Sequence, residues 1–173
     1  IAIFIHHPKF SKNLSNYKLG LKSDDIVWIA VNRFKEIKNS LPNNTNVIKL
    51  PIGIEASNNH PLFLKQLIDT HYKINKVLEI LKPEITLCFE GDAPYQSILA
   101  ELCKKKKIKS IGIQWGLIFE LWKDIAFSNM EFTYYLTWGS YWSELIKNQN
   151  PNSKIVTFGY PFKSTLEIQK MKK

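Results

Sequence analysis

Short apolar runs recur along the chain, separated by longer segments in which polar and apolar residues mix. Several of these runs are continuously apolar rather than alternating, which is typical of parallel strands that are covered on both faces. The runs predict seven strands, at residues 1–5, 26–31, 46–50, 85–89, 110–115, 133–138 and 154–158.

Apolar residues at three- and four-residue steps predict helices in the longer segments. The longest helix is predicted over residues 61–81, where Pro83 stops it, and two more over 93–106 and 140–148. One stripe of the longest helix is expected to face the core, and it consists of Leu64, Ile68, His71, Ile74, Leu78 and Leu81.

Strands that alternate with helices of this length predict an α/β fold. The expected architecture is a Rossmann-like, doubly wound, mainly parallel sheet of about six to seven strands, joined by right-handed crossovers. In such a sheet, ligands bind beyond the carboxyl ends of the strands. The residues that directly follow each apolar run are therefore the candidates for a functional site.

The composition is that of a globular domain with a core of its own. The 173 residues are 45% hydrophobic and 23% charged. No apolar run approaches the ~18 residues that cross a membrane, and no signal-peptide pattern is present. Cys88 and Cys103 lie in apolar segments without framework spacing, so we expect buried free thiols in a reducing compartment. Because the chain begins at Ile1, we expect it to be trimmed or part of a longer one.

The formal net charge of +9 comes almost entirely from lysine, since Arg33 is the only arginine. Proteins that read nucleic acids rely on the planar fork of arginine, so we expect no nucleic-acid partner. The densest run, Lys104–Lys107, closes a predicted helix, where solvated cations complement the helix dipole. The alternative for this run is an anionic membrane surface, toward which each lysine contributes ~1 kcal/mol.

Two histidines, His6 and His7, follow the first predicted strand. Adjacent residues at a strand end point in opposite directions, so at most one of them should face a crevice. A histidine there can act as a general base near neutral pH. The alternative is a pair of loop histidines with one ring packed on the sheet. A metal site is disfavoured, because adjacent histidines chelate one ion poorly.

Glu90, Gly91 and Asp92 follow the fourth predicted strand. The glycine permits a tight turn, and Asp92 stands where the next helix needs an N-cap. No capping role explains Glu90, whose carboxylate ends a nearly apolar strand. Such a group can deprotonate a sugar hydroxyl or orient it by hydrogen bonds.

Gln114, Trp115 and Gly116 end the fifth predicted strand. An amide that bonds hydroxyl groups and an indole with an apolar face suit a polyol. The alternative is that Trp115 belongs to the core and Gln114 satisfies backbone groups. The seventh strand is followed by a rigid turn in which Tyr160 can line the same edge.

Several well-known motifs are absent from the sequence. No GxGxxG follows the first strand and no GxxxxGK[ST] is present, so neither a dinucleotide fingerprint nor a phosphate-cradling loop is visible. The G-x-S-x-G elbow of hydrolases is missing too. No D-x-D is present to hold a metal-bound nucleotide sugar, and we expect no metal ligands.

The order of the strand ends resembles a known family. Residues 85–116, 134–146 and 153–161 resemble the N-terminal half of a GT-B glycosyltransferase, above all bacterial enzymes that build capsule and other surface polysaccharides. The UDP-GlcNAc 2-epimerase superfamily shares this layout, and its Gly-Asp turn matches Gly91 and Asp92. Trp115 stands where a histidine is usual in these families. The further acidic and basic residues of the epimerases have no clear counterparts here.

The resemblance implies an acceptor-side domain of the GT-B N-terminal type over residues 1–162. Residues 163–173 would begin an interdomain linker or a C-terminal tail, and the donor-binding domain would lie outside this chain. Alone, the chain would not turn over substrate. No cofactor is implied, since the nucleotide-sugar donor is a substrate expected on the second domain.

The implied reaction is glycosyl transfer to a hydroxyl of a surface-polysaccharide or lipid-linked acceptor. Glu90, His6 or His7 would be the base, and the residues that bind substrate would be Gly91, Asp92, Gln114, Trp115, Gly116 and Tyr160. The expected location is cytoplasmic, with a peripheral position at the inner face of the plasma membrane. Two alternatives stay open: a noncatalytic module that binds carbohydrate or nucleotide or docks a partner, and a sugar-nucleotide enzyme of the 2-epimerase type.

Overall fold

The described residues form one parallel sheet with helices on both faces. The computed structural model describes residues 1–15, 25–53, 60–90, 93–116 and 130–159, and only the backbone of 12–15. The strand order is β3-β2-β1-β4-β5-β6-β7, and every neighbouring pair is parallel. The strands are β1 (Ala2–Ile5), β2 (Val27–Val31), β3 (Val47–Leu50), β4 (Ile85–Phe89), β5 (Lys109–Ile113), β6 (Tyr134–Thr137) and β7 (Lys154–Thr157). The doubly wound fold and all seven predicted strands are confirmed.

Five helices cover the described parts of this sheet. They are α1 (Pro8–Ser15), α2 (Phe34–Asn39), α3 (His60–Leu81), α4 (Pro94–Lys106) and α5 (Ser140–Lys147). The three helices predicted from periodicity are present, each with ends within one residue of those expected. Helices α1 and α2 were not predicted individually, because six to eight residues contain about two turns, too few to show a period.

The core lies in two layers, one on each face of the sheet. Alternate residues of β1 enter different layers: Phe4 packs toward α3, α4 and α5, while Ile3 and Ile5 pack toward α1 and α2. Both kinds of position are almost fully buried. This two-sided burial is the physical reason that the strands read as continuous apolar runs.

The predicted buried stripe of α3 is wrong in the first half of the helix. Leu64 and Ile68 are 58% and 62% exposed, and His71 is exposed as well. Each three-residue step along an α-helix turns a side chain back by about 60°, so the two successive steps from Ile68 through His71 to Ile74 leave Ile68 about 120° from the buried face. The buried face instead carries Thr70 and Ile74.

The close approach of β5 and β6 requires a glycine. A Cβ atom at Gly112 would lie 2.5 Å from Cδ2 of Tyr135 and 3.1 Å from Cδ2 of Phe132. Both aromatic side chains are fully buried and have no space to retreat. Gly112 thus permits the aromatic packing beneath α4 and α5.

Both cysteines are free thiols in the interior, as the sequence predicts. The Sγ atom of Cys103, on α4, lies 3.3 Å from Oγ1 of Thr86 on β4. Burial raises the pKa of the Cys103 thiol to about 11. Among the residues that the structure describes, no helix combines the length and the apolar character needed to cross a bilayer.

Candidate functional site

The candidate site lies at the carboxyl ends of β1, β4 and β5. Strands β1 and β4 are neighbours, but the helices that follow them, α1 and α4, pack on opposite faces of the sheet. This divergence opens the crevice in which doubly wound folds bind ligands. His6, Glu90 and Gln114 directly follow these strands, so the topology brings three of the predicted site residues to one edge.

His6 is half-buried and contacts both helices that flank the crevice. Its ring centroid lies 4.9 Å from that of Phe10 on α1 and 6.1 Å from that of Tyr95 on α4, both in edge-on geometry. Its Nδ1 atom is 2.9 Å from the hydroxyl oxygen of Tyr95, which is hydrogen-bonding distance. His6 therefore has a fixed ring orientation.

His7 is held by its own loop. Its Nδ1 accepts a hydrogen bond of 3.1 Å from the backbone N–H of Lys9, in the first turn of α1. A neutral imidazole that accepts at Nδ1 carries its proton on Nε2, where it can only donate. This local bond makes His7 a weaker candidate for the base than the sequence suggests.

Glu90 adopts a backbone conformation that is unusual for its side chain. Its φ is 66°, in the left-handed region, which costs a non-glycine residue about 1–2 kcal/mol. Its N–H donates a 2.7 Å hydrogen bond to the carbonyl of Ile113, so the backbone stays tied to β5. The side chain is half-buried, with Oε1 3.7 Å from the place that a Cβ would take at Gly116. The strained backbone holds a carboxylate at the crevice, and strained residues tend to cluster at functional sites.

The turn after Glu90 differs from the sequence prediction. The N-cap of α4 is Ala93 rather than Asp92, because Pro94 takes the first helical position. A residue that precedes proline is pushed into the extended region, and Ala93 has φ −82° and ψ 139°. Gly91 and Asp92 themselves lie outside the described residues.

Gln96 and Tyr95 are site residues that sequence reasoning missed. Gln96 is fully buried, and its side chain bonds to backbone groups on both sides of the turn: it accepts from the Ala93 N–H at 2.8 Å and donates to the Phe89 carbonyl. It also donates to the Tyr95 hydroxyl at 3.3 Å. A glutamine three residues after an N-cap is the sequence signal that could have found this bond.

Gln114 is buried and supports the loop after β5. Its Oε1 accepts from the backbone N–H of Trp138 at 3.0 Å, and its Nε2 donates to the Gly116 carbonyl at 3.0 Å. The indole N–H of Trp138 donates to the Gln114 carbonyl at 2.7 Å. These bonds correspond to the alternative role considered from the sequence, in which the Gln114 amide satisfies backbone groups.

Trp115 belongs to an aromatic cluster formed with Phe10 and Phe89. Phe10 and Phe89 are stacked at 4.7 Å between centroids, and Trp115 meets Phe10 edge-on at 4.1 Å. Phe10 and Phe89 are buried, whereas Trp115 is half-buried. The ammonium of Lys9 lies 5.6 Å from the centroid of the Trp115 ring. Tyr160, predicted at the same edge, lies outside the described residues.

The lysine run is far from this site. Helix α4 begins at the carboxyl edge and ends at the amino edge, and its 13 residues span about 20 Å. Three of the four lysines pair with carboxylates: Lys104 with Glu131, Lys105 with Glu101 at 2.6 Å, and Lys106 with Glu79 at 3.5 Å. Lys107 is the left-handed C-cap of the helix. The anionic membrane surface stays a prediction, and local pairing already accounts for much of this charge.

A surface depression of about 550 Å³ lies along α4, lined by Ser97, Ile98, Glu101, Lys104, Lys105 and Glu131. It has both charge signs and none of the strand-end residues, so it does not compete with the crevice as a candidate site. Within the described ranges, no three His, Cys, Asp or Glu side chains are grouped to hold a metal ion.

Comparison with known proteins gives structural matches only. No family model and no curated protein sequence matches the chain. UDP-GlcNAc 2-epimerase from Neisseria meningitidis, solved with UDP-GlcNAc bound, is 12% identical with a TM-score of 0.62, over 92% of this chain and 46% of that one. UDP-N-acetylglucosamine 2-epimerase from Rickettsia bellii is 16% identical with a TM-score of 0.60, over 92% and 44%. MurG from Acinetobacter baumannii is 11% identical with a TM-score of 0.53, over 90% and 44%.

These similarities show the fold. The chain spans less than half the length of each of the three proteins, and nearly all of it is matched. It has the Rossmann-like fold expected of the N-terminal half of a GT-B-like protein, so the resemblance read from the sequence is confirmed at the level of fold.

Proposed function

We propose that this chain is the acceptor-side half of a GT-B glycosyltransferase. It would act with a donor-binding domain outside this chain, and would not turn over substrate alone. The observation that carries the proposal is Glu90, a half-buried carboxylate in a strained backbone conformation at the switch point of the sheet. The similarity in fold to MurG, a glycosyltransferase, and to enzymes that act on a sugar nucleotide supports it.

In the proposed reaction, Glu90 removes the proton of an acceptor hydroxyl. The resulting oxygen attacks the anomeric carbon of the donor sugar, and the bond from that carbon to the nucleotide phosphate breaks as the nucleoside diphosphate leaves. General-base catalysis of this kind contributes ~100-fold or more. The acceptor would carry its hydroxyl on a surface polysaccharide or on a lipid-linked sugar.

The other residues at the crevice would shape it. The half-buried indole of Trp115, backed by Phe10, offers an apolar surface to one face of a sugar ring. Gln114 would act indirectly. Its amide fixes the backbone around Gly116, and the Glu90 carboxylate lies against that backbone. Substrate contacts by Gly91, Asp92 and Tyr160 remain part of the proposal.

The test is a pair of matched substitutions in the full-length protein. Glu90→Gln removes the base at the carboxyl end of β4, whereas Glu84→Gln makes the same change at an exposed residue just before the opposite end of that strand. Release of nucleoside diphosphate is measured with nucleotide sugars, UDP-GlcNAc first, with and without glycan acceptors. We expect Glu90→Gln to lower kcat ~100-fold or more and Glu84→Gln to change it little.

The outcomes separate the alternatives. A loss of only a few-fold in Glu90→Gln would remove Glu90 from the role of base. Conversion of UDP-GlcNAc without any acceptor would favour an enzyme of the 2-epimerase type, which needs no second substrate. Binding of nucleotide sugar or glycan without turnover by the full-length protein would favour the noncatalytic module.

A further inference from the structure

A chain of hydrogen bonds reaches His6 from the buried first turn of α4. It begins at Gln96, whose amide orientation is fixed, because Oε1 accepts from the Ala93 N–H at 2.8 Å. Nε2 is therefore the donor side of this amide, and it bonds to the Phe89 carbonyl and to the Tyr95 hydroxyl. A backbone N–H can only donate, so the direction of the first hydrogen bond in this series is fixed.

The next bond transmits this direction to His6. The Tyr95 oxygen receives a hydrogen bond of 3.3 Å from Gln96 and lies 2.9 Å from His6 Nδ1. A hydroxyl that accepts one hydrogen bond becomes a better donor, since hydrogen bonds in a chain polarise one another, most of all in a poorly solvated site. Tyr95 and Gln96 are both buried, so their chain is shielded from water. The favoured arrangement runs head to tail, with the Tyr95 O–H donating to Nδ1 of His6.

We infer that Tyr95 is a positioning residue that holds neutral His6 with its proton on Nε2. If the proposed glycosyl transfer is right, on which this role rests, His6 offers the substrate an N–H donor and Glu90 is left as the base. His6 and Glu90, which the sequence could not separate, thus have different roles. His7 has the same tautomer by an independent route, because the Lys9 N–H donates to its Nδ1.

The tautomer can be measured on the full-length protein without any substrate. Long-range ¹H–¹⁵N correlation spectra distinguish a protonated ring nitrogen from an unprotonated one. At about pH 8, where a histidine of ordinary pKa is neutral, we expect His6 to show an unprotonated Nδ1 and a protonated Nε2. A His6 spectrum with the proton on Nδ1 would overturn the inference.

Tyr95→Phe tests whether the hydroxyl is the cause. This variant keeps the ring beside His6 and removes only the group that donates to Nδ1, so the His6 spectrum should change to a mixture of both tautomers. His7 serves as an internal reference and should keep its pattern. Tyr72→Phe, at an exposed site on α3, should leave both rings unchanged. An unchanged His6 spectrum in Tyr95→Phe would reject Tyr95 as the positioning group.

A kinetic experiment on the full-length protein tests the assigned role separately. His6→Gln keeps an N–H donor near the position of Nε2, whereas His6→Ala removes it. Loss of one such donor costs ~100-fold in kcat, so His6→Ala should fall by about that factor and His6→Gln by much less. Equal losses in the two variants would overturn the donor role while leaving the proposed reaction intact, because that reaction stands or falls with Glu90→Gln.

Discussion

The two ends of helix α4 hold polar groups in different ways. At its first turn, the fully buried amide of Gln96 joins Phe89, Ala93 and Tyr95, and through Tyr95 reaches His6. At its last turn, exposed lysines pair with carboxylates that stay in contact with water; Lys105 and Glu101 are 63% and 54% exposed. The first arrangement is shielded and tied to the backbone, whereas the second is screened by solvent.

This difference shows that a dense cluster of charged residues in a sequence need not contribute much to the free energy of unfolding. The lysine run is the most conspicuous cluster in the chain, but each exposed ion pair contributes only about 0–1 kcal/mol. A single neutral glutamine at the other end of the helix bonds to a strand end and to a helix start, and is linked through Tyr95 to a histidine ring. The following three experiments test the comparison, from the largest expected effect to the smallest.

The strongest test removes the buried amide. In Gln96→Leu, the Phe89 carbonyl and the Ala93 N–H each lose their hydrogen bond with the buried Gln96 amide, and removal of such a bond costs about 1–3 kcal/mol. We expect the free energy of unfolding, measured in urea, to fall by about 2–5 kcal/mol. Ser97→Leu introduces the same side chain at the next, exposed position and should change stability by less than about 0.5 kcal/mol. Equal effects of the two variants would contradict the special position of Gln96.

A second test uses two residues with a left-handed backbone, one at the carboxyl edge of the sheet and one at the amino edge. Glu90 and Lys107 have φ of 66° and 59°, and glycine adopts this conformation without strain. Glu90→Gly and Lys107→Gly should each raise the free energy of unfolding by about 1 kcal/mol in thermal or urea melts.

The two variants should differ in function. In the full-length protein, Glu90→Gly should abolish most turnover, since it removes the proposed base, whereas Lys107→Gly should leave turnover unchanged. A stabilised Glu90→Gly that keeps full activity would show that the strain at Glu90 serves no catalytic purpose.

The smallest effect is expected at the solvated end of the helix. A hydrogen bond from Lys105 lowers the pKa of Glu101. The contribution of this ion pair to stability is therefore present above the pKa of Glu101 in the unfolded chain, and it is lost as the pH falls through the pKa in the folded protein. Glu101→Gln should therefore cost less than about 0.5 kcal/mol near pH 7, because the pair is exposed, and nothing at acidic pH. A cost of ~2 kcal/mol or more would mean that the amino edge is as tightly coupled as the carboxyl edge.

Much of the fold was accessible from the sequence. Residues 26–31 and 85–89 read as buried strands because their apolar content is a local property, and Pro83 marks the end of α3 for an equally local reason. Alternation of such elements constrains the topology strongly, since parallel strands must be joined by crossovers of one hand.

The candidate site was accessible only in part. His6, Glu90 and Gln114 follow strands, so the rule for doubly wound sheets places them at one edge without knowledge of any contact. Tyr95 and Phe10 were missed, because their importance arises from contacts between segments that are distant in sequence: Tyr95 and His6 are separated by 89 positions. Gln96 was missed for a local reason, because the expected N-cap was Asp92, and Gln96 lies three residues after Ala93 instead.

The sequence by itself determined the order of strands and helices, the two-sided burial of the sheet and the edge at which polar residues meet. All three depend on local periodicity and on the handedness of the chain. Only the tertiary structure decided which face of α3 is buried and that the lysine run is largely paired. The left-handed backbone of Glu90 and the hydrogen bond between His6 and Tyr95 were also decided by the tertiary structure, because each depends on packing and hydrogen bonds between distant segments rather than on neighbouring residues.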